Sequence, residues 1–142
     1  MTRTTLAVSA LTLAVGLPLL PACQQAPIAP NSARTDPLFF ELYPGIAVDP
    51  WFKDKIVTTP ERITFTPASS DQAATIMVPL RSLASNEAWV QYRFLWFDDA
   101  GVQVGETGWQ RTKLVPQYEQ QFQAASVSAD TVAWRMEVRV AR

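Results

Sequence analysis

Apolar and polar residues alternate at every second position through much of this chain, and that period predicts strands. In "WVQYRFLWFD", Trp89 to Asp98, Val90, Tyr92, Phe94 and Trp96 share one face, while Trp89, Gln91, Arg93, Leu95 and Phe97 share the other. The first set is uniformly large and apolar and is assigned to a core. The second mixes Gln and Arg with apolar residues, as a partly covered outer face does. "DDAG", Asp98 to Gly101, supplies a turn with Gly101 at a natural positive-φ position, and the chain returns through "VQVG" as a hairpin.

The segment "TVAWRMEVRVAR" repeats the pattern: Val132, Trp134, Met136, Val138 and Val140 lie on one face, with Arg135, Glu137 and Arg139 on the other. Trp109 to Val115 and Tyr118 to Ala124 read as further strands. Upstream, Arg62 to Thr66 and Ala74 to Leu80 are strands, with Pro79 marking a bulge or an edge. Ile46 to Phe52 reads as an edge strand interrupted by Pro50. About seven short strands between turns predict an all-β, antiparallel two-sheet sandwich over residues 38–142. Its expected core centres on Phe94, Trp96, Phe122 and Trp134, because no cysteine pair is available to staple the sheets.

The first 23 residues break this pattern. Arg3 is followed by an uncharged run of 15 residues, Leu6 to Leu20, shorter than the ~20 needed to cross a bilayer. A charged start, a short apolar run and a small residue (Ala22) before Cys23 describe an export signal over residues 1–22. Residues 20–23, "LPAC", resemble a bacterial lipoprotein lipobox. The resemblance implies that Cys23, the only cysteine, carries a diacylglycerol and becomes the acylated N-terminus. More than one acyl chain is needed for stable anchoring, at ~0.8 kcal/mol per buried CH₂, and three on one residue supply it. In that class Gln24, rather than Asp, favours the outer membrane. Residues 23–37, polar and punctuated by proline, read as a tether.

Composition excludes more than it assigns. A net charge of -1 is not that of a nucleic-acid binder, and the absence of histidine removes the commonest general base and metal ligand. No cofactor motif is present. Asp98 and Asp99 are adjacent but lack the oxygen count of a cation loop, and turn capping is their simpler role. Serines such as Ser69, Ser70, Ser126 and Ser128 have no base at motif spacing. Arg93, Arg135 and Arg139 form a basic face, but Glu137 lies among them, which favours cross-strand pairing over an anionic ligand.

The aromatic stretch "PLFFELYPGIAVDPWF" places Phe39, Phe40, Tyr43, Trp51 and Phe52 close together in sequence. It either covers an open end of the sandwich or forms a docking surface.

The motif "VQYRFLWFDDAGVQV", with Trp109, Leu114, Phe122 and the closing "WRMEVRV", resembles the YcfL-like family of small bacterial lipoproteins, over about Ala74 to Arg139. That resemblance implies an immunoglobulin- or fibronectin-like sandwich in the cell envelope and no catalytic residue. The expectation is therefore a non-enzymatic, lipid-anchored protein on the periplasmic face of the outer membrane, without cofactor, that binds another envelope protein. The alternative is a module that binds glycan or peptidoglycan through surface aromatics.

Overall fold

A computed structural model describes residues 39–142, which form ten strands. The first four are short: β1 (Phe40–Tyr43), β2 (Ile46–Val48), β3 (Ile56–Thr58) and β4 (Thr64–Thr66). The long ones follow as β5 (Thr75–Ser82) and β6 (Ala88–Phe97), then β7 (Gln103–Glu106), β8 (Gln110–Leu114), β9 (Glu119–Ala125) and β10 (Ala133–Val140). They build two sheets packed face to face. The larger runs β1–β2–β10–β6, with β7 and β8 both on the far side of β6. The smaller has β5 at its centre, with β9 on one side and β3 and β4 end to end on the other.

The core lies between the sheets and uses the alternation of β6 and β10 as the sequence implies. Val90, Phe94 and Trp96 from β6 meet Trp134, Met136 and Val138 from β10, and all are buried. Ile76, Val78 and Leu80 of β5 and Phe122 of β9 close the opposite wall. Phe94 and Trp96 stack at 16° between planes, and Tyr92 meets Phe122 edge-on at 4.7 Å. On the outer side of the larger sheet Leu95, Phe97 and Ala133 make a second, smaller apolar cluster.

Strand number exceeds the sequence expectation because two sheet positions are broken. β7 lies along Leu95 to Phe97, and β8 along Ala88 to Tyr92, so together they line one side of β6. Gly108, at φ 69°, turns the chain between them. Thr107 closes the gap: its N–H donates to the Phe94 carbonyl, and its hydroxyl accepts from the Phe94 N–H, both at 3.0 Å. β3 and β4 are likewise separated by a short 3₁₀ turn that starts at Pro60.

Two expectations are corrected. Ile46 to Phe52 is not an edge strand; β2 lies inside the larger sheet, antiparallel to β1 and parallel to β10. Ile46, Ala47 and Val48 are all buried, so the segment shows no alternation, as strands covered on both faces do not. Pro50 then opens a 3₁₀ turn, which Asp49 caps by accepting from the Trp51 N–H at 2.9 Å. Pro79 marks neither an edge nor a bulge, because β5 is the central strand of the smaller sheet. Its carbonyl accepts from the Thr58 hydroxyl at 2.7 Å, so its nitrogen faces the same side. That side is where β4 has ended and β3 has not yet paired, and the missing N–H has no ladder partner to lose.

Candidate functional site

Among the aromatic residues singled out in the sequence, the structure separates two kinds. Phe52 is 1% exposed and belongs to the core, while Phe39 and Tyr43 are half-buried. Phe40 and Trp51 are exposed, Trp51 at 49%. The 3₁₀ turn explains the split between neighbours: it rotates Trp51 outward and drops Phe52 inward, leaving the rings edge-to-face at 4.9 Å. Lys55 Nζ sits 3.7 Å above the Trp51 ring, and Lys53 Nζ 5.5 Å above Phe40. Asp54, in the left-handed region at φ 61°, makes the turn that presents both lysines. Phe40 pairs with Val48, so β1 and the 3₁₀ turn bring the two exposed rings to the same end of the larger sheet. Cys23 lies outside the described residues.

The outer face of the larger sheet carries a charged network. Arg93 Nε donates to Glu137 at 2.8 Å and its Nη1 to Glu106 at 2.9 Å, a clamp across three strands. Trp109 meets the guanidinium groups of Arg93 and Arg139 at 4.7 and 3.8 Å, and Arg139 also donates to Gln91. Arg135 is buried, with Glu41 at 3.6 Å and Glu137 at 3.9 Å as its nearest carboxylates. Its Nε and Nη2 find no hydrogen-bond acceptor among the described residues. Of the three arginines singled out in the sequence, Arg93 and Arg135 thus turn toward Glu137 within the sheet, while Arg139 engages Trp109 and Gln91 and, among the described residues, no carboxylate. Glu41, Glu106 and Trp109 were missed there; only the register of β6 against β7 and β8 brings the last two to Arg93.

Further along this face Trp89 is 48% exposed and is flanked by Arg111 at 4.7 Å and Lys113 at 5.4 Å. Its signal was the alternation of Arg111 and Lys113 along β8, whose side chains stand beside those of β6.

Several other polar groups hold turns and loops in place. Asp98 Oδ1 accepts from the Val102 N–H at 2.8 Å and holds the hairpin turn. The buried hydroxyls of Ser126 and Thr131 share a 2.6 Å hydrogen bond that closes the loop before β10. Burial raises the Tyr92 hydroxyl above its ordinary pKa of 10.0, and that hydroxyl donates to Gln110 Oε1 at 2.7 Å. A shallow cavity of about 410 Å³ over β4, β5 and β9 has threonine, glutamine and apolar walls, with no titratable side chain. Among the described residues no three His, Cys, Asp or Glu side chains gather to hold a metal ion.

The family described as "Protein of unknown function (DUF1425)" matches residues 61–140. This chain belongs to the DUF1425 family. The DUF1425 match spans β4 to β10, including the Arg93–Glu137 network and the hydroxyl pair of Ser126 and Thr131, and leaves out β1, β2 and the exposed ring of Trp51. Two crystal structures share the fold. Campylobacter jejuni cj0090 superposes with a TM-score of 0.56 at 15% identity, over 68% of this chain and 98% of that one. A DUF1425 family member from Shewanella sp. pv-4 gives 0.50 at 24% identity, over 61% of this chain and 77% of that one. No curated protein matches the chain.

Proposed function

We propose that this DUF1425 protein is a YcfL-like lipoprotein, held by Cys23 to the periplasmic face of the outer membrane, whose sandwich is a non-catalytic protein-interaction or scaffolding module. The observation that carries the reading is the LPAC tetrapeptide ending at the only cysteine, with a proline-punctuated segment between it and the sandwich. The charges of the sandwich support the non-catalytic part. Its buried acid, Glu137, is consumed by arginines, and the cavity over β4, β5 and β9 has no acid or base in its wall.

The partner-facing surface in this reading is the end bearing Phe40 and Trp51, where exposed rings are backed by Lys53 and Lys55. Exposed Trp89, flanked by Arg111 and Lys113, favours a second reading in which the module binds glycan or peptidoglycan.

Metabolic labelling with a palmitate analogue tests the anchor. Label incorporated by the native chain and lost in Cys23→Ser is the expected result; label retained by Cys23→Ser overturns it. Pull-down with Trp51→Ala and Trp89→Ala variants, alongside binding to purified peptidoglycan, separates the two readings of the sandwich.

A further inference from the structure

Sheet edges expose unpaired N–H and C=O groups, and proteins guard them with charge, proline, bulges or shortness. Every edge but one is guarded among the described residues. β1 has four residues, a register break and Glu41. β7 and β8 are split at Gly108, and β8 carries Arg111 and Lys113. β3 and β4 have three residues each, and Pro60 starts the turn between them. β9 has seven residues, "EQQFQAA", with no proline, glycine or basic residue and one charge, on its first residue. Among the described residues it pairs only with β5.

The direction of its backbone groups follows from Pro79. Because Pro79 faces β3, its partner Gln121 makes no ladder bond to it and directs its own N–H and C=O away from β5. Glu119, Gln123 and Ala125 share that parity, whereas Ser126 has the other and donates to the Ala74 carbonyl on the β5 side. The open edge therefore presents the backbone of Glu119, Gln121, Gln123 and Ala125.

We infer that β9 pairs antiparallel with β9 of a second copy of this chain, about a twofold axis at Phe122. In that register Gln121 lies opposite Gln123 of the second copy, and Glu119 opposite Ala125. No like charges meet, and about eight backbone hydrogen bonds form. Both ends of this open strand also carry exposed apolar side chains. The two most exposed large hydrophobic residues, Val127 at 101% and Tyr118 at 63%, flank the two ends of β9. In this register Tyr118 of each copy falls opposite Ser126 of the other, one position from Val127, and the smaller sheets of both join into one. The contact is isologous and closes at two copies. Its narrow footprint makes a reversible dimer in the micromolar-to-millimolar range. The inference uses neither the lipid anchor nor the surface around Trp51, and its failure leaves both untouched.

Sedimentation of the full chain in detergent micelles across a concentration series is expected to show monomer and dimer in exchange. Gln121→Lys with Gln123→Lys sets lysine opposite lysine twice and weakens association about tenfold or more, without lowering the unfolding temperature. Gln121→Glu with Gln123→Lys restores it. Amide exchange supplies an internal control. The Gln121 and Gln123 N–H groups slow with rising concentration, while those of Gln120 and Phe122, already bonded to β5, do not change. A chain that stays monomeric to about 1 mM, a dimer indifferent to the lysine pair, or growth into open-ended assemblies would each overturn the inference.

Discussion

Replacing Glu137 by glutamine tests how the outer face of the larger sheet is held. Glu137 is buried between Ala47 of β2 and Arg93 of β6, its register partners, with one carboxylate oxygen 2.8 Å from Arg93 Nε and the other 3.9 Å from Arg135 Nε. The two arginines lose unequally. Arg93 is partly exposed and keeps Glu106 at 2.9 Å, so water and a second carboxylate compensate it. Arg135 is buried and, among the described residues, keeps only Glu41 at 3.6 Å, on a half-exposed side chain. Attraction across 3.9 Å at an effective dielectric of about 20 is about 4 kcal/mol. Leaving a buried charge uncompensated costs about 3–5 kcal/mol in measured cases.

Glu137→Gln is therefore expected to destabilise by about 3–4 kcal/mol, which lowers Tm by roughly 13–20 °C for a domain of about 100 residues. The deciding comparison is Arg135→Met with Glu137→Met, which removes both buried charges at similar volume and recovers most of the loss. Urea denaturation at pH 7 measures all three chains. A single substitution costing under about 1 kcal/mol, or a double variant as unstable as the single, refutes the account.

Three further outcomes follow from the core and its margins. Trp96→Ala or Trp134→Ala removes one of the two largest buried side chains, costs about 3–5 kcal/mol and is expected to abolish soluble expression; a normal melting temperature would contradict it. Phe52→Ala is expected to cost about 3–5 kcal/mol, while Trp51→Ala one position earlier stays within about 0.5–1 kcal/mol, so denaturation curves of the pair read the inward and outward sides of the 3₁₀ turn. Tyr92 is harder to ionise folded than unfolded, so unfolding releases a proton above pH 10.0; stability is intact below that value and falls as pH rises past it, and Tyr92→Phe flattens this alkaline slope in pH-dependent melting.

The strands at the centre of the larger sheet were legible because one face of each is uniformly apolar while the other carries Arg, Gln or Glu, which on β10 are buried as an ion-paired layer. β6 and β10 print that difference directly as alternation, and the Asp98–Gly101 turn follows from residues that favour it. β2 was not legible as an interior strand, since burial on both sides removes the period that identifies a strand. Its parallel partner β10 lies nearly 90 residues away, beyond any local signal. Pro79 misled for a different reason. The rule that proline avoids central strands concerns its missing donor, and here that donor would point into the gap between β3 and β4. The candidate surfaces divide in the same way. Sequence placed Phe40 and Trp51 near each other, but only the turn geometry shows that Trp51 faces out and Phe52 in. Trp109 reaches Arg93 and Arg139 through a sheet register that spacing along the chain does not encode.

The parallel pairing of β2 with β10 governs the order in which the protein can be built. β10 sits between β2 and β6, so the larger sheet has no middle until residues 133–140 are in place. The smaller sheet needs only residues 56–125 and is complete earlier in synthesis. A chain that emerges from its N-terminal end must hold β2 unpaired on its β10 side while the intervening segment follows, then close a loop of that length in one step. Such closure makes assembly slow relative to the helical proteins of the same size. A chain that ends short of β10 leaves the backbone edges of β6 and β2 unpaired, a state open to aggregation and proteolysis.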